Sequence, residues 1–452
     1  MTHPTPPGSL PMPGCPVRGD HALLRLYGPE FAADPHTAYA ELRQYGDLAP
    51  VEIAPGVSAM LVTDYRTALD LLHDTDTWSH DPRPWQETIP EDSPVRPMLA
   101  WRPNPLFNDG AVHARYRSVI TDSFRMIESH ELRSHVHRAA DTLITEFGAT
   151  GRADLISQYA RVLPMLMFNR LFGFGDSHST RLIDSLAGMM EGNTPEEAGR
   201  ANAAFEAYVT DLVTTKSRER GHDLTSWFID HPSGLSAEEV VHHVVLTLGA
   251  GLEPTTNLVG NALARMLSDD RYYTTLTGGA LTAHDAVNEV LWHDPPMANY
   301  GAHFPRRDVY FHGTWIRAGQ LVLVSYAAAN LSVPRCPETI ATGAGSHLAW
   351  SAGPHTCPVR NHAQLVAITA IERLTAWLSD IELAVPYDQL EWRPGGFHRA
   401  LATLPARFTP LVPDPTGVTP WNTSSLPSPS TPQDGTSGPR PNASATAARP
   451  SW

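Results

Sequence analysis

The chain has 452 residues, 42% hydrophobic and 18% charged, which is enough to bury a sizeable core in one large domain or two to three ordinary ones. With 33 Lys+Arg against 48 Asp+Glu the formal net charge is −15, so the positive footprint that non-specific nucleic-acid binding needs is missing. Three cysteines, Cys15, Cys336 and Cys357, are too few for a disulfide framework and point to a reducing, cytoplasmic setting.

The first 16 residues carry six prolines and no basic start followed by an apolar run, so they predict a disordered arm and no signal peptide. Pro35 to Gly46 reads as a short helix with Tyr39 and Leu42 on one face. "VEIAPGVSAMLVTD" reads as a hairpin turning at Pro55-Gly56, and "YRTALDLLHD" returns to helical spacing. From about Gly110 to Asp285 the pattern is mostly helical. Within it, Val240–Leu267 has no charge between Glu239 and Arg265 except Glu253, as expected of a helix running through the middle of a core.

After Asp308 the residues alternate as strands do, with turns at His312-Gly313 and Ala318-Gly319. A helix begins after Cys357, and "HRALATLPARFTP" suggests a terminal hairpin. The stretch from Pro413 to Trp452 has nine prolines in 40 residues and too little apolar surface to offset its ordering entropy. The expected organisation is therefore a disordered arm over 1–20, one mainly α domain with minor β over 21–412, and a disordered tail over 413–452. No apolar run reaches the roughly 18 residues of a membrane span.

The chemistry concentrates in "HLAWSAGPHTCPVRNHA", which holds His347, His355, Cys357 and His362. Zinc would want four ligands in paired clusters, and there is no second Cys pair. A Cys–His nucleophile and an ordinary buried cysteine are two further readings. A fourth is a haem thiolate. Cys357 follows a glycine-containing loop and precedes a helix, where free N–H groups and the positive dipole end stabilise a thiolate.

The segment resembles the haem-binding loop of cytochromes P450, in its actinobacterial form: Phe-Gly-x-Gly-x-His/Arg-x-Cys-x-Gly. Trp350, Ser351, Gly353, His355, Cys357 and Val359 fall on its positions, keeping the central glycine, the histidine and the cysteine. "NDGAVHARYRSVITDSF" is similar to the family's helix with His-x-x-x-Arg, at His113 and Arg117. "LGAGLEPTTNLVGNALARML" is similar to its central helix, where Ala250, Gly251 and Glu253 match. "NEVLWHDPP" is similar to its Glu-x-x-Arg helix, with Glu289 matching and Trp292 at the arginine position. The resemblance runs from roughly Asp34 to Pro410.

It implies one P450-like domain with haem b between the central helix and the Cys357 loop. Cys357 is the implied iron ligand. His113, Arg117 and His303 are the implied propionate-binding groups, and Ala250, Gly251, Gly353 and His355 the further implied haem-binding residues; Gly251 is expected to let oxygen and substrate approach the helix. Two departures matter. Without the arginine, Glu289 needs solvation, protonation or another donor, with Trp292 and Arg335 as candidates. Pro254 occupies the place of the family's proton-relay threonine and offers no N–H and no hydroxyl. Thr255, or Thr256, is expected to substitute, with Glu253 relaying protons from solvent.

The implied activity is oxidation of a small organic substrate, in secondary metabolism, with dioxygen and electrons from a ferredoxin and its reductase. Arg115, Arg117 and Arg360 are candidates for the docking patch. Two readings compete: a haem-binding protein with decayed or altered chemistry (a sensor, a partner or a peroxide-using oxygenase), and a helical interaction protein without haem.

Overall fold

The computed structural model describes residues 23–174, 195–272, 281–333 and 345–412. The expected arm (1–20) and tail (413–452) lie outside these residues, as does Arg335. The described chain is mainly helical with smaller sheets, as expected.

The central helix runs Ala237–Ser268, close to the span its apolar pattern suggests. A capping box starts it: Ser236 Oγ accepts from the Glu239 N–H (3.2 Å) and the Glu239 carboxylate accepts from the Ser236 N–H (2.8 Å). Val240, Val244, Leu248, Leu252, Leu258 and Leu263 are buried on several faces of the helix. The helices Ser129–Phe147, Val162–Leu171, Ala283–His293 and Arg360–Trp377 contribute to the same apolar core. Thr282 caps the Ala283–His293 helix with a second capping box to Asp285.

The larger sheet has the order β1-β2-β3-β9-β6-β4, built from β1 (Leu24–Arg25), β2 (Leu48–Ala54), β3 (Val57–Val62), β4 (Trp78–Ser79), β6 (Gly301–Pro305) and β9 (Val322–Val324). The β2–β3 hairpin turns at Pro55-Gly56 as read from the sequence, and Gly56 takes the positive φ (73°) that a tight turn requires. β7 (Val309–Phe311) and β8 (Thr314–Ile316) form a separate two-stranded sheet turning at His312-Gly313.

The expected terminal hairpin does not form. Its one strand, β11 (Pro405–Arg407), lies between β10 (Glu382–Leu383) and β5 (Arg152–Asp154), both antiparallel to it. A three-residue strand gains more from two distant partners than from folding back on its neighbours, because both of its edges are then paired. Among the described residues no helix is long and apolar enough to cross a membrane.

Candidate active site

Cys357 lies between two short 3-10 turns (Leu348–Trp350 and Gly353–His355) and the helix that begins at Arg360. Its backbone N–H donates to the Trp350 carbonyl (2.8 Å), which folds the loop back on itself. Gly353 has φ +66°, and a Cβ there would stand 2.2 Å from the Leu72 carbonyl oxygen; this glycine lets the loop seat on the Tyr65–His73 helix. Ser351 sits at φ 60°, ψ −174°, a conformation natural to glycine, where the family's loop has one. Val359 has φ −122°, so the other missing glycine is not needed for backbone reasons.

The thiol sits deep in the fold, although the residue keeps some accessible surface. Burial pushes its pKa up; the Val359 N–H and the cations Arg117 and Arg360 oppose that.

On the central helix, Gly249 and Ala250 are exposed between the buried Leu248 and Leu252. The helix continues through Pro254, whose missing N–H leaves the Ala250 carbonyl without its helical donor. Gly251 is explained by packing: a Cβ there would lie 2.4 Å from the Phe168 ring of the Val162–Leu171 helix. That revises the expectation that it clears a path for oxygen and substrate. Glu253 is an ion-pair partner of Arg393 and also accepts from Asn257 Nδ2 (3.1 Å), so its carboxylate is engaged rather than free to relay from solvent. Thr255 is buried, and Thr256 Oγ1 donates back to the Leu252 carbonyl (3.0 Å).

The helix Gly110–Arg125 carries His113 and Arg117 one turn apart. Arg117 donates to the Thr356 carbonyl, next to the thiol. His113 stacks on His355 (ring centroids 4.0 Å) and His355 stacks on His80 (3.5 Å). His303, on β6, lies 4.4 Å from His80. His113, Arg117, His303 and His355 therefore lie in one region beside the Cys357 loop. Burial, with the positive charge of Arg117 and His80 beside it, lowers the His113 pKa to about 4. His303 and His355 are driven well below the usual imidazole range, again first by burial and then by His80.

No family model matches the chain. It is 28% identical over 400 residues to cytochrome P450 107B1 of Saccharopolyspora erythraea (86% of this chain, 98% of that one). It is 29% identical over 398 residues to the P450 monooxygenase PikC of Streptomyces venezuelae (85% and 94%). A solved structure of CYP154C4 from a Streptomyces species superposes with a TM-score of 0.78 at 26% identity, covering 86% of this chain and 98% of that one. The chain is a cytochrome P450. It is an enzyme of the monooxygenase type. The readings of decayed or peroxide-using chemistry find no support in relatives named for monooxygenase and hydroxylase activity.

Membership of the P450 family implies a haem iron, and the residues fit that group. Among the described residues Cys357 is the one free thiol, and the Nε2 atoms of His113 and His303 are buried without a hydrogen-bond partner. Buried ring nitrogens in that condition suit the carboxylate arms of a haem, His303 by taking up a proton on Nε2, since its Nδ1–H donates to the Gly301 carbonyl.

The P450 arginine missing at Trp292 has been replaced by partners from elsewhere. Glu289, 6% exposed, accepts from Arg265 Nε (2.7 Å) at the end of the central helix and from Arg271 Nη2 (3.2 Å) just beyond it. Neither arginine was anticipated, because both lie in segments whose docking on this helix no local pattern reveals. Trp292 packs edge-on against His347 (5.8 Å).

Asn330, fully buried, ties this helix to the Cys357 loop. Its Nδ2 donates to the Leu291 and Trp292 carbonyls (3.1 and 3.2 Å), and its Oδ1 accepts from the Leu348 N–H (2.8 Å). His80, Asp109 and Arg393 were also missed. Asp109 had a signal: with His113 and Arg117 it repeats every four residues on one helix face. Of the three docking candidates, Arg115 is engaged by Glu239 and by the Ser233 carbonyl, while Arg360 is exposed.

Proposed function

We propose that Cys357 holds the iron of a haem b, with His113, Arg117, His303 and His355 on its carboxylate arms. On this reading the enzyme oxidises a small organic substrate with dioxygen and electrons from a ferredoxin and its reductase. The observation that carries the proposal is the convergence, from three separate segments, of these basic groups beside the Cys357 thiol.

Bound there, haem supplies dioxygen activation, with the thiolate pushing electron density toward the iron. The protein supplies the rest. Arg117 and Arg360 offset the burial that disfavours the Cys357 thiolate. The exposed Gly249–Ala250 spot and the Ala250 carbonyl freed by Pro254 provide room and an acceptor on the central helix. Thr255 Oγ1 is the hydroxyl closest in sequence to the missing relay and holds the proton to be delivered. Glu253 resupplies it when its pair with Arg393 opens.

Exposed Arg360, three residues from the thiol, belongs to the face where a ferredoxin docks. The disordered arm (1–20), the domain (21–412), the disordered tail (413–452) and a cytoplasmic setting complete the proposal.

The test is the carbon-monoxide difference spectrum of the reduced protein beside Cys357→Ala. A strongly red-shifted Soret band lost in the variant is the expected result. A protein that binds haem with the same spectrum in both forms overturns Cys357 ligation. Consumption of a screened substrate that depends on ferredoxin and reductase tests the electron source.

A further inference from the structure

The polar cluster contains a residue that the family resemblance does not assign. β4 pairs antiparallel with β6, Trp78 opposite Pro305 and Ser79 opposite Phe304. Continued by one residue, that register sets His80 opposite His303. The sheet therefore delivers a fourth imidazole to this cluster beside Cys357.

Among these rings His80 is the one with a carboxylate of its own. Asp109, at the start of the Gly110–Arg125 helix, does not cap that helix with its side chain. Its carboxylate turns instead to β4 and accepts from His80 Nδ1 (3.0 Å), the His80 backbone N–H (3.1 Å), Ser79 Oγ (2.6 Å) and Arg306 Nη2 (3.0 Å). This bonding is strong enough to hold the Asp109 carboxyl well below the usual carboxylate range despite its burial.

Two consequences follow from the geometry. The Nδ1–H of His80 is committed to Asp109, so Nε2 is its free end. The ring is also fixed in orientation, stacked within 17° of coplanar on His355. A carboxylate that holds one imidazole nitrogen favours a proton on the other when an anion arrives there. His113, His303 and His355 have no hydrogen-bonded carboxylate in the structure, although His355 Nε2 lies 3.9 Å from Asp109.

We propose that His80, oriented by Asp109, is an additional cationic anchor for the carboxylate arms of the haem. This extends the haem reading above and rests on it. Asp109 is a positioning residue in this scheme, acting through His80.

The experiment uses the haem-loaded protein and measures haem loss to excess apomyoglobin, together with the midpoint potential, for wild type, His80→Ala, His80→Gln, Asp109→Asn and the double variant His80→Ala/Asp109→Asn. Losing one charge-assisted hydrogen bond is expected to speed haem loss about tenfold. Asp109→Asn should act in the same direction, and the double variant should be no worse than His80→Ala, because the two residues work as a unit. The potential should fall, since a positive charge near the haem carboxylates has gone.

His80→Gln keeps a polar side chain without the charge, so it covers the case in which His80→Ala does not fold. Haem loss and potential unchanged in whichever variant folds overturn the proposal. So does additive behaviour in the double variant.

His80, Asp109 and His355 also place three ligand atoms within 4.8 Å of one another. Tight zinc binding to the haem-loaded wild type that His80→Ala abolishes, with haem loss unaltered, would instead make this a metal site and sink the anchor. A wild type that takes up no haem fails the underlying reading, and the spectrum of the wild type alone distinguishes that case.

Discussion

The Cys357 loop and the Ala283–His293 helix depart from the family pattern in different ways. The loop loses two glycines and an aromatic identity, yet its thiol, its central glycine and its histidine stand where the resemblance puts them. The helix loses its arginine, and the buried Glu289 finds two arginines from outside the motif. A proposed metal ligand must be one atom type at one place, so Cys357 stands out in the sequence. A buried carboxylate only needs compensating charge and N–H donors, and any element that packs nearby can supply them. The tie to the loop has likewise passed to Asn330, an uncharged side chain that satisfies three backbone groups at once.

Four measurements break or sharpen this contrast. The largest effect is expected from removing both substitutes. Arg265→Ala/Arg271→Ala leaves Glu289 buried without a cation, which costs about 2–4 kcal/mol of unfolding free energy in urea titration; the half-exposed arginines place it below the upper range for broken buried pairs. Adding Glu289→Gln to the double variant should recover most of that loss. If the double variant is as stable as the wild type, water already solvates Glu289 and the replacement account fails.

Gly251→Ala comes next. Its Cβ meets the Phe168 ring, so overpacking should cost about 1–3 kcal/mol, read by thermal unfolding. Phe168→Leu in the same chain should relieve it. A neutral Gly251→Ala would show that Phe168 gives way easily and that the glycine is there for another reason.

A third measurement concerns pH. Burial holds His243 at about 4, below its ordinary value of 6.5. Between those values the unfolded chain binds a proton that the folded chain does not. Stability therefore falls on acidification from about pH 6.5 toward 4 and rises with pH over the same window. His243→Asn should flatten that slope in stability measured at several pH values; an unchanged slope would assign the effect to other groups.

The smallest effect is expected from Thr255→Ala. It should lower product formed per electron consumed by about two- to threefold, well below a full general-acid contribution because water can carry part of the proton flow, while leaving the carbon-monoxide spectrum intact. Unchanged coupling would remove Thr255 from proton delivery.

The sequence by itself determined the nature of the elements and singled out Cys357 as the candidate iron ligand. The uncharged run across the central helix, the Pro55-Gly56 hairpin and the isolated Cys357 ahead of a helix are all local signals, set by periodicity, turn chemistry and residue type. It also brought His113 and Arg117 together, because four residues make one helical turn.

What it could not show are the groups that arrive from distant segments. His80 reaches the cluster only through the β4–β6 register, Arg265 and Arg271 reach Glu289 only once two helices pack, and Arg393 reaches Glu253 from 140 residues away. The terminal segment was misread for the same reason, since β11 takes its partners from residues 152–154 and 382–383 rather than from its neighbours. Charge compensation and strand pairing depend on distance in space. Periodicity along the chain carries information only about groups within a turn or two, so these partners were decided by the tertiary structure.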